Sequence, residues 1–302
     1  MEKWSVAGRL QKGMAWLLFF GFFCLSACAG TSPTKQGAAE TDSDAAPLNE
    51  QQATSSPQLL LPEASGTVVF SGEGVEIDAS HTDQGYVMIR CEQSKTRLKA
   101  RIASAGQIYY YDLPVGAEYS VYPLQMGSGV YTVRVMEQVE DDLYAMLYGT
   151  DIEVQLVSET IPFLYPNQYV WYDADTQAVL EAQTLAGSMT DQKKITDKFY
   201  RFVVNHMRYD YEKAATVQSG YLPDADESLA SGKGICFDYA ALFAVMLRSK
   251  GIPTRMLIGN VTPENLYHSW NSVYLNGEWI WMDTTLDGTG HREKDYSTER
   301  IF

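Results

Sequence analysis

Asn276-Gly277 constrains this chain more than any other pair of neighbours. A two-residue type I′ turn needs positive φ at both central positions, and Asn-Gly tolerates that well. The flanking segments then form a hairpin in which Leu275 faces Glu278. In that register Trp270 lies opposite Asp283, and His268 lies opposite Thr285. His268 and Asp283 become diagonal neighbours on one face, a gap that side chains span. A carboxylate so placed holds one imidazole tautomer and stabilises the imidazolium, leaving the other ring nitrogen for a reacting group.

That reacting group lies upstream, in Gly232-Lys233-Gly234-Ile235-Cys236-Phe237-Asp238-Tyr239-Ala240. The glycines read as a tight loop. Ala240, Phe243, Ala244 and Leu247 then have helical spacing, and Gly251 followed by Pro253 is a stop signal. Cys236 is therefore expected in the first helical turn, where free N–H groups and the macrodipole favour a thiolate, the nucleophilic form. Each residue alone has a plainer reading. Cys236 suits a small buried hydrophobe, His268 an ordinary strand residue, and Asp283 a strand end before the turn-prone Asp287-Gly288. Their order and placement together point to a nucleophile, a base and its orienter.

These residues resemble the transglutaminase-like superfamily, with a G-x-C at a helix start, H-x-W on a strand and D-x-T on the next. The likeness covers roughly residues 190–287, about a third of the chain, and includes a helix expected over 195–211. One departure is Thr284, where relatives often carry proline. The resemblance implies an α+β fold: a papain-like transglutaminase core, with the helix-start cysteine packed on an antiparallel sheet. It implies acyl transfer or hydrolysis on protein or peptide amides through a Cys236 thioester, with His268 and Asp283 completing the triad. Cell-wall peptides fall within that substrate class, and no cofactor is implied. The Cys236 backbone N–H is the natural first oxyanion donor, and Tyr209 and Trp270 are candidates for a second, although core packing is the plainer role of both. Two alternatives stand beside a cross-linking enzyme. One is a cysteine protease or amidase with the same triad; the other is a non-catalytic surface adhesion or assembly lipoprotein. An accessible thiol beside His268 suits an enzyme, and a sealed one suits the adhesin.

The amino-terminal region has its own logic. Lys3, Arg9 and Lys12 precede an apolar run over 14–25, too short for a comfortable membrane span. Residues 1–27 read as a lipoprotein signal peptide. Leu25-Ser26-Ala27-Cys28 resembles the bacterial lipobox, which implies lipidation of Cys28 and anchoring at the outer face of the cell membrane; the rival is plain cleavage after Ala27 or Ala29. Residues 28–62 lack aromatics and are rich in Ser, Thr, Ala, Gln and Pro, so they read as a disordered tether spanning roughly 30–35 Å.

The net charge of −15 becomes about −17 once residues 1–27 are removed with three basic residues and one acidic one. Such a field disfavours nucleic acid and anionic membrane as partners, leaving the lipid anchor as the membrane contact. Four histidines without metal-ligand spacing, and no cysteine pairs, give no metal signature. In an exported protein Cys91 and Cys236 are the remaining thiols, and a bridge between them would end the catalytic reading. Cys91 continues the inward alternation of Val87 and Ile89, so two free thiols are expected.

Residues 63–160 read as a β-sandwich-like domain, with strands over 67–70, 75–78, 86–91, 97–102, 107–111, 119–122, 130–136 and 143–156. Tyr109-Tyr110-Tyr111 suits strand packing better than a ligand platform. Residues 161–302 read as the catalytic domain, with a helix over 176–185 and another capped by Thr190. An acidic loop over 222–231 is expected to put Asp224, Asp226 and Glu227 on a solvated rim.

Overall fold

The computed structural model describes residues 59–286 and 292–302. The expected signal peptide, Cys28, the tether up to residue 58 and the Asp287-Gly288 turn lie outside the described residues. Leu59 and Leu60, inside the expected tether, are partly buried against the core instead. Their apolar side chains are removed from water there, which the tether's overall composition conceals.

The fold is α+β. Eight strands open it: β1 (Val69–Gly72), β2 (Val75–Asp78), β3 (Tyr86–Cys91), β4 (Leu98–Ser104), β5 (Gln107–Leu113), β6 (Gly116–Pro123), β7 (Gly129–Glu140) and β8 (Leu143–Val154). They form two four-stranded sheets, β1-β2-β3-β6 and β5-β4-β7-β8, with every pairing antiparallel. Alternation in β4 buries Leu98, Ala100 and Ile102 while Lys99 and Arg101 stay partly exposed, as a half-covered antiparallel strand requires. β3 departs from it. Tyr86 and Met88 are buried too, in a second small cluster with Val121 and Tyr165.

Next come α1 (Gln177–Ala186), α2 (Gln192–His206), β9 (Arg208–Tyr209), α3 (Tyr211–Thr216), α4 (Ala225–Ser231), β10 (Lys233–Gly234) and α5 (Cys236–Arg248). A third antiparallel sheet, β13-β12-β11-β14, is built from β11 (Thr254–Val261), β12 (Leu266–Leu275), β13 (Glu278–Met282) and β14 (Tyr296–Ile301). Three expectations need correction here. Asp191, not Thr190, caps α2, its Oδ1 accepting the Lys194 N–H at 3.1 Å. That helix stops at His206, short of residue 211. The acidic loop is largely α4: Asp224 caps it, accepting the N–H groups of Asp226 (2.8 Å) and Glu227 (3.0 Å). Asp226 reaches across to accept the Gln177 (3.0 Å) and Ala178 (2.9 Å) N–H groups at the start of α1.

α5 is the axis of the helical part. Ala240 through Leu247 are at most 2% exposed around the whole circumference, as in a helix enclosed on all sides. Each large apolar side chain so buried contributes roughly 1.5–3 kcal/mol. Asn271 of β12 ties the sheet to α5, its Nδ2 donating to Ala240 O at 3.0 Å. At the far end Arg248, 1% exposed, donates to the carbonyls of Thr254 (2.9 Å), Tyr165 (2.7 Å) and Phe302 (2.9 Å). Phe302 packs on Tyr109, Tyr111 and Tyr169 at centroid distances of 5.6, 6.1 and 4.0 Å. Tyr109 and Tyr111 are therefore packing residues, and one continuous core runs from the sandwich into α5.

Candidate active site

Gly232, at φ +60°, ends α4 in the left-handed region, and β10 then pairs in parallel with β9. Ile235 is extended, and helical geometry begins at Cys236. Asp238 secures this turn. Its Oδ2 accepts the Ile235 N–H at 2.7 Å, Lys213 Nζ lies 3.0 Å away, and the Tyr221 hydroxyl donates to Oδ1. This carboxylate is fully buried, so without Lys213 and the two other donors it would be costly. Gly234 makes the arrangement possible, because a Cβ there would stand 2.5 Å from Asp238 Cβ.

The hairpin has the register expected of Asn276-Gly277. Both turn residues have positive φ, 52° and 89°, and Leu275 pairs with Glu278. The ladder runs to Asn271 and Met282, and the next residue, Asp283, turns away from the strand. His268 Nε2 meets Asp283 Oδ2 at 2.8 Å. Cys236 lies close enough to the imidazole to affect its protonation. Asp283 Oδ1 accepts the Thr285 (2.8 Å) and Leu286 (3.0 Å) N–H groups. Burial works against charge on His268, but the influence of Asp283 and Cys236 outweighs it and pushes the imidazole up to about 9. Burial likewise opposes ionisation of Asp283, yet His268, Leu286 and Tyr296 hold its carboxyl below the usual range.

Cys91 and Cys236 are both free. Cys91 is fully enclosed, whereas Cys236 keeps 7% of its surface and His268 keeps 2%. The thiol is thus reached along a narrow front. Two tyrosines stand close enough to feel the sulfur: half-buried Tyr209, pushed up mainly by burial and next by Cys236, and Tyr267, 58% exposed. Phe237 and Tyr267 pack at 6.2 Å, and Tyr209 meets the exposed Tyr211 edge-on at 5.0 Å. Trp270 sits elsewhere. It is 1% exposed, parallel to the His268 ring at 6.2 Å and edge-on to Tyr296 at 4.8 Å. Its place is in an aromatic stack beside the imidazole.

Sequence reasoning passes over Asp238, Lys213, Tyr221 and Tyr296. The Gly234 and Asp238 spacing is the one available signal, since a carboxylate three residues past an extended residue can cap the helix. Among the described residues no group of three or more His, Cys, Asp or Glu could hold a metal ion.

Residues 178–284 match the sequence model of the Transglutaminase-like superfamily, and they contain Cys236, His268 and Asp283. The likeness to that superfamily covers about a third of the chain. UPF0252 protein MJ1282 of Methanocaldococcus jannaschii is 31% identical over 72 residues, covering 22% of this chain and 20% of that one. The chain therefore spans about a fifth of that relative's length. Among solved structures, a cysteine protease candidate from Cytophaga hutchinsonii has TM-score 0.40 and 20% identity, covering 49% of this chain and 48% of its own. Legionella pneumophila LapG has TM-score 0.34 and 20% identity, covering 43% and 77%. The periplasmic domain of TgpA from Pseudomonas aeruginosa has TM-score 0.34 and 14% identity, covering 72% and 95%.

Proposed function

We propose that the chain is a cysteine acyl-transfer enzyme acting on protein or peptide amides. One observation supports this most: His268 is hydrogen-bonded to Asp283 at 2.8 Å, and the helix-start thiol of Cys236 lies close enough to act on the imidazole. In this reading the Cys236 thiolate attacks the amide carbonyl, and the oxyanion is met by the Cys236 backbone N–H and the Tyr209 hydroxyl. Tyr209 is raised above its ordinary value, so it stays protonated and able to donate. The His268 imidazolium gives its proton to the leaving amine or ammonia, and the acyl group remains as a thioester on Cys236. The neutral imidazole then takes a proton from the acceptor, an amine for cross-linking or water for hydrolysis.

The test combines labelling with turnover. Iodoacetamide near pH 6 is expected to modify Cys236 and spare Cys91. A glutamine-bearing protein with a fluorescent primary amine should then show amine incorporation, ammonia release or new amino termini, each abolished by prior alkylation. Equal labelling of both thiols, or turnover that survives alkylation, overturns the reading.

The same proposal puts the enzyme on the outer face of the membrane, held by lipid on Cys28, on the strength of Leu25-Ser26-Ala27-Cys28. Among the described residues no helix is long and apolar enough to cross a membrane. Mass spectrometry of the mature amino terminus should find diacylated Cys28, and Cys28→Ala should prevent processing or release the protein. An unlipidated native terminus rejects this anchoring.

A further inference from the structure

Asp283 has more hydrogen bonds than the orientation of His268 requires. Oδ1 is pinned by two backbone N–H groups, at 2.8 and 3.0 Å, and the Tyr200 hydroxyl donates to the residue's own carbonyl at 2.9 Å. These contacts already settle where the carboxylate points. Oδ2, which faces His268 Nε2, accepts in addition the Tyr296 hydroxyl at 2.7 Å. We propose that Tyr296 is a positioning residue acting through Asp283: its hydroxyl occupies part of the oxygen that holds the imidazole, and so limits how tightly Asp283 keeps the proton on His268.

Tyr296 is well fixed for this. Its ring meets Trp270 at 4.8 Å, Trp281 at 4.9 Å and His268 at 6.2 Å. It opens β14, which pairs with β11 along one edge. The far end of that strand is keyed into the sandwich: Arg300 Nη1 donates to Ile108 O at 2.7 Å, and Ile301 N to the Tyr109 hydroxyl at 3.3 Å. The sandwich is therefore part of the scaffold that brings a donor to the catalytic carboxylate.

The chemical reason lies in the acid step. A general acid works best when its pKa lies near the working pH. A buried carboxylate given wholly to one imidazolium would hold its proton too firmly to release it to a leaving amine. Hydrogen bonds to a carboxylate stabilise its charge and weaken it as a base, so sharing Oδ2 offsets the excess. The titratable groups around the pair are Cys236 from α5, Tyr200 from α2, Asp295 ahead of β14, and Asp283 and Tyr296 themselves.

This inference rests on the proposed role of His268 as proton donor, and its test does not require turnover. The chain has four histidines, so His268 can be followed by NMR titration in full-length protein labelled at histidine. In Tyr296→Phe its pKa should rise by about half to one unit, the size expected for losing part of a charge-assisted hydrogen bond. In protein with 3-fluorotyrosine at position 296, a stronger donor that keeps the ring's size, it should fall. The opposed shifts separate charge sharing from simple support, and the fluorinated protein serves if Tyr296→Phe folds poorly. An unchanged pKa in both proteins, or a fall in Tyr296→Phe, overturns the inference. Inactivity toward amides alongside the opposed shifts would count against the enzyme reading alone.

Discussion

His268→Ala is expected to lower amide turnover by at least about 10² to 10⁴, the usual worth of general acid–base help, with a further loss because the thiolate loses its counter-ion. Asp283→Asn should also be damaging, by about 10² to 10³. With Oδ1 still bonded to the Thr285 and Leu286 N–H groups, the new amide would point its NH₂ at His268 Nε2. The ring would then carry its proton on the side facing Cys236 and could not accept the thiol's. The corresponding change costs about 10⁴ in a serine protease, and a thiol needs less activation than a hydroxyl. Sequence alone suggests cleft-facing positions and unaffected stability. His268 and Asp283 are 2% and 3% exposed, so some destabilisation is expected, about 1–3 kcal/mol for a carboxylate that loses one charged partner but keeps three donors. Turnover and thermal unfolding measured together decide the matter. Full activity in His268→Ala, or a loss explained entirely by unfolding, would make these structural residues.

Raising the pH should remove stability first, between pH 6.5 and 9, and activity above about pH 9. The folded His268 lies near 9 against an ordinary 6.5. A group raised on folding stabilises fully below its unfolded pKa, and that contribution disappears as pH climbs through the folded value. The His268–Asp283 contribution, counted once for the pair, is about 3 kcal/mol below pH 6.5 and fades between pH 6.5 and 9. Asp283 has the opposite sense: its lowered pKa stabilises above the ordinary carboxylate range and is lost as pH falls through the folded value. Imidazolium-dependent turnover should decline above about pH 9 for the same reason. Urea midpoints measured from pH 5 to pH 9.5 should fall in the native protein and stay nearly level in His268→Ala. Parallel curves for the two proteins would remove His268 from the account.

The features legible in the amino-acid sequence are local ones. Positive φ at Asn276 and Gly277 is a steric matter of two residues, and from it follow the hairpin register and the approach of His268 to Asp283. The helix start at Cys236 rests on neighbouring glycines and a run of apolar residues. The sandwich strands follow from alternation along single segments, whereas the α+β class is what the resemblance of the cysteine, histidine and aspartate motifs implies. Misreadings arise where a side chain serves a distant backbone. Asp226 reads as solvated rim because its partners at the start of α1 lie 48 and 49 residues away. Met88 reads as outward-facing because strand alternation does not reveal that Tyr165 and Val121 cover the second face.

Which residues form the hairpin, the helix-start thiol and the imidazole–carboxylate pair can be read along the chain, because short-range sterics and hydrophobic period act between neighbours. How that group is held and tuned depends instead on long-range packing. Lys213 and Tyr221 reach Asp238 beneath the thiol's turn, α5 is enclosed on every side, and Tyr296 meets Asp283 from a strand keyed to the sandwich by Arg300 and Ile301. Those contacts depend on how separate elements pack to bury apolar surface and satisfy buried charge, and no local pattern in the chain encodes the result.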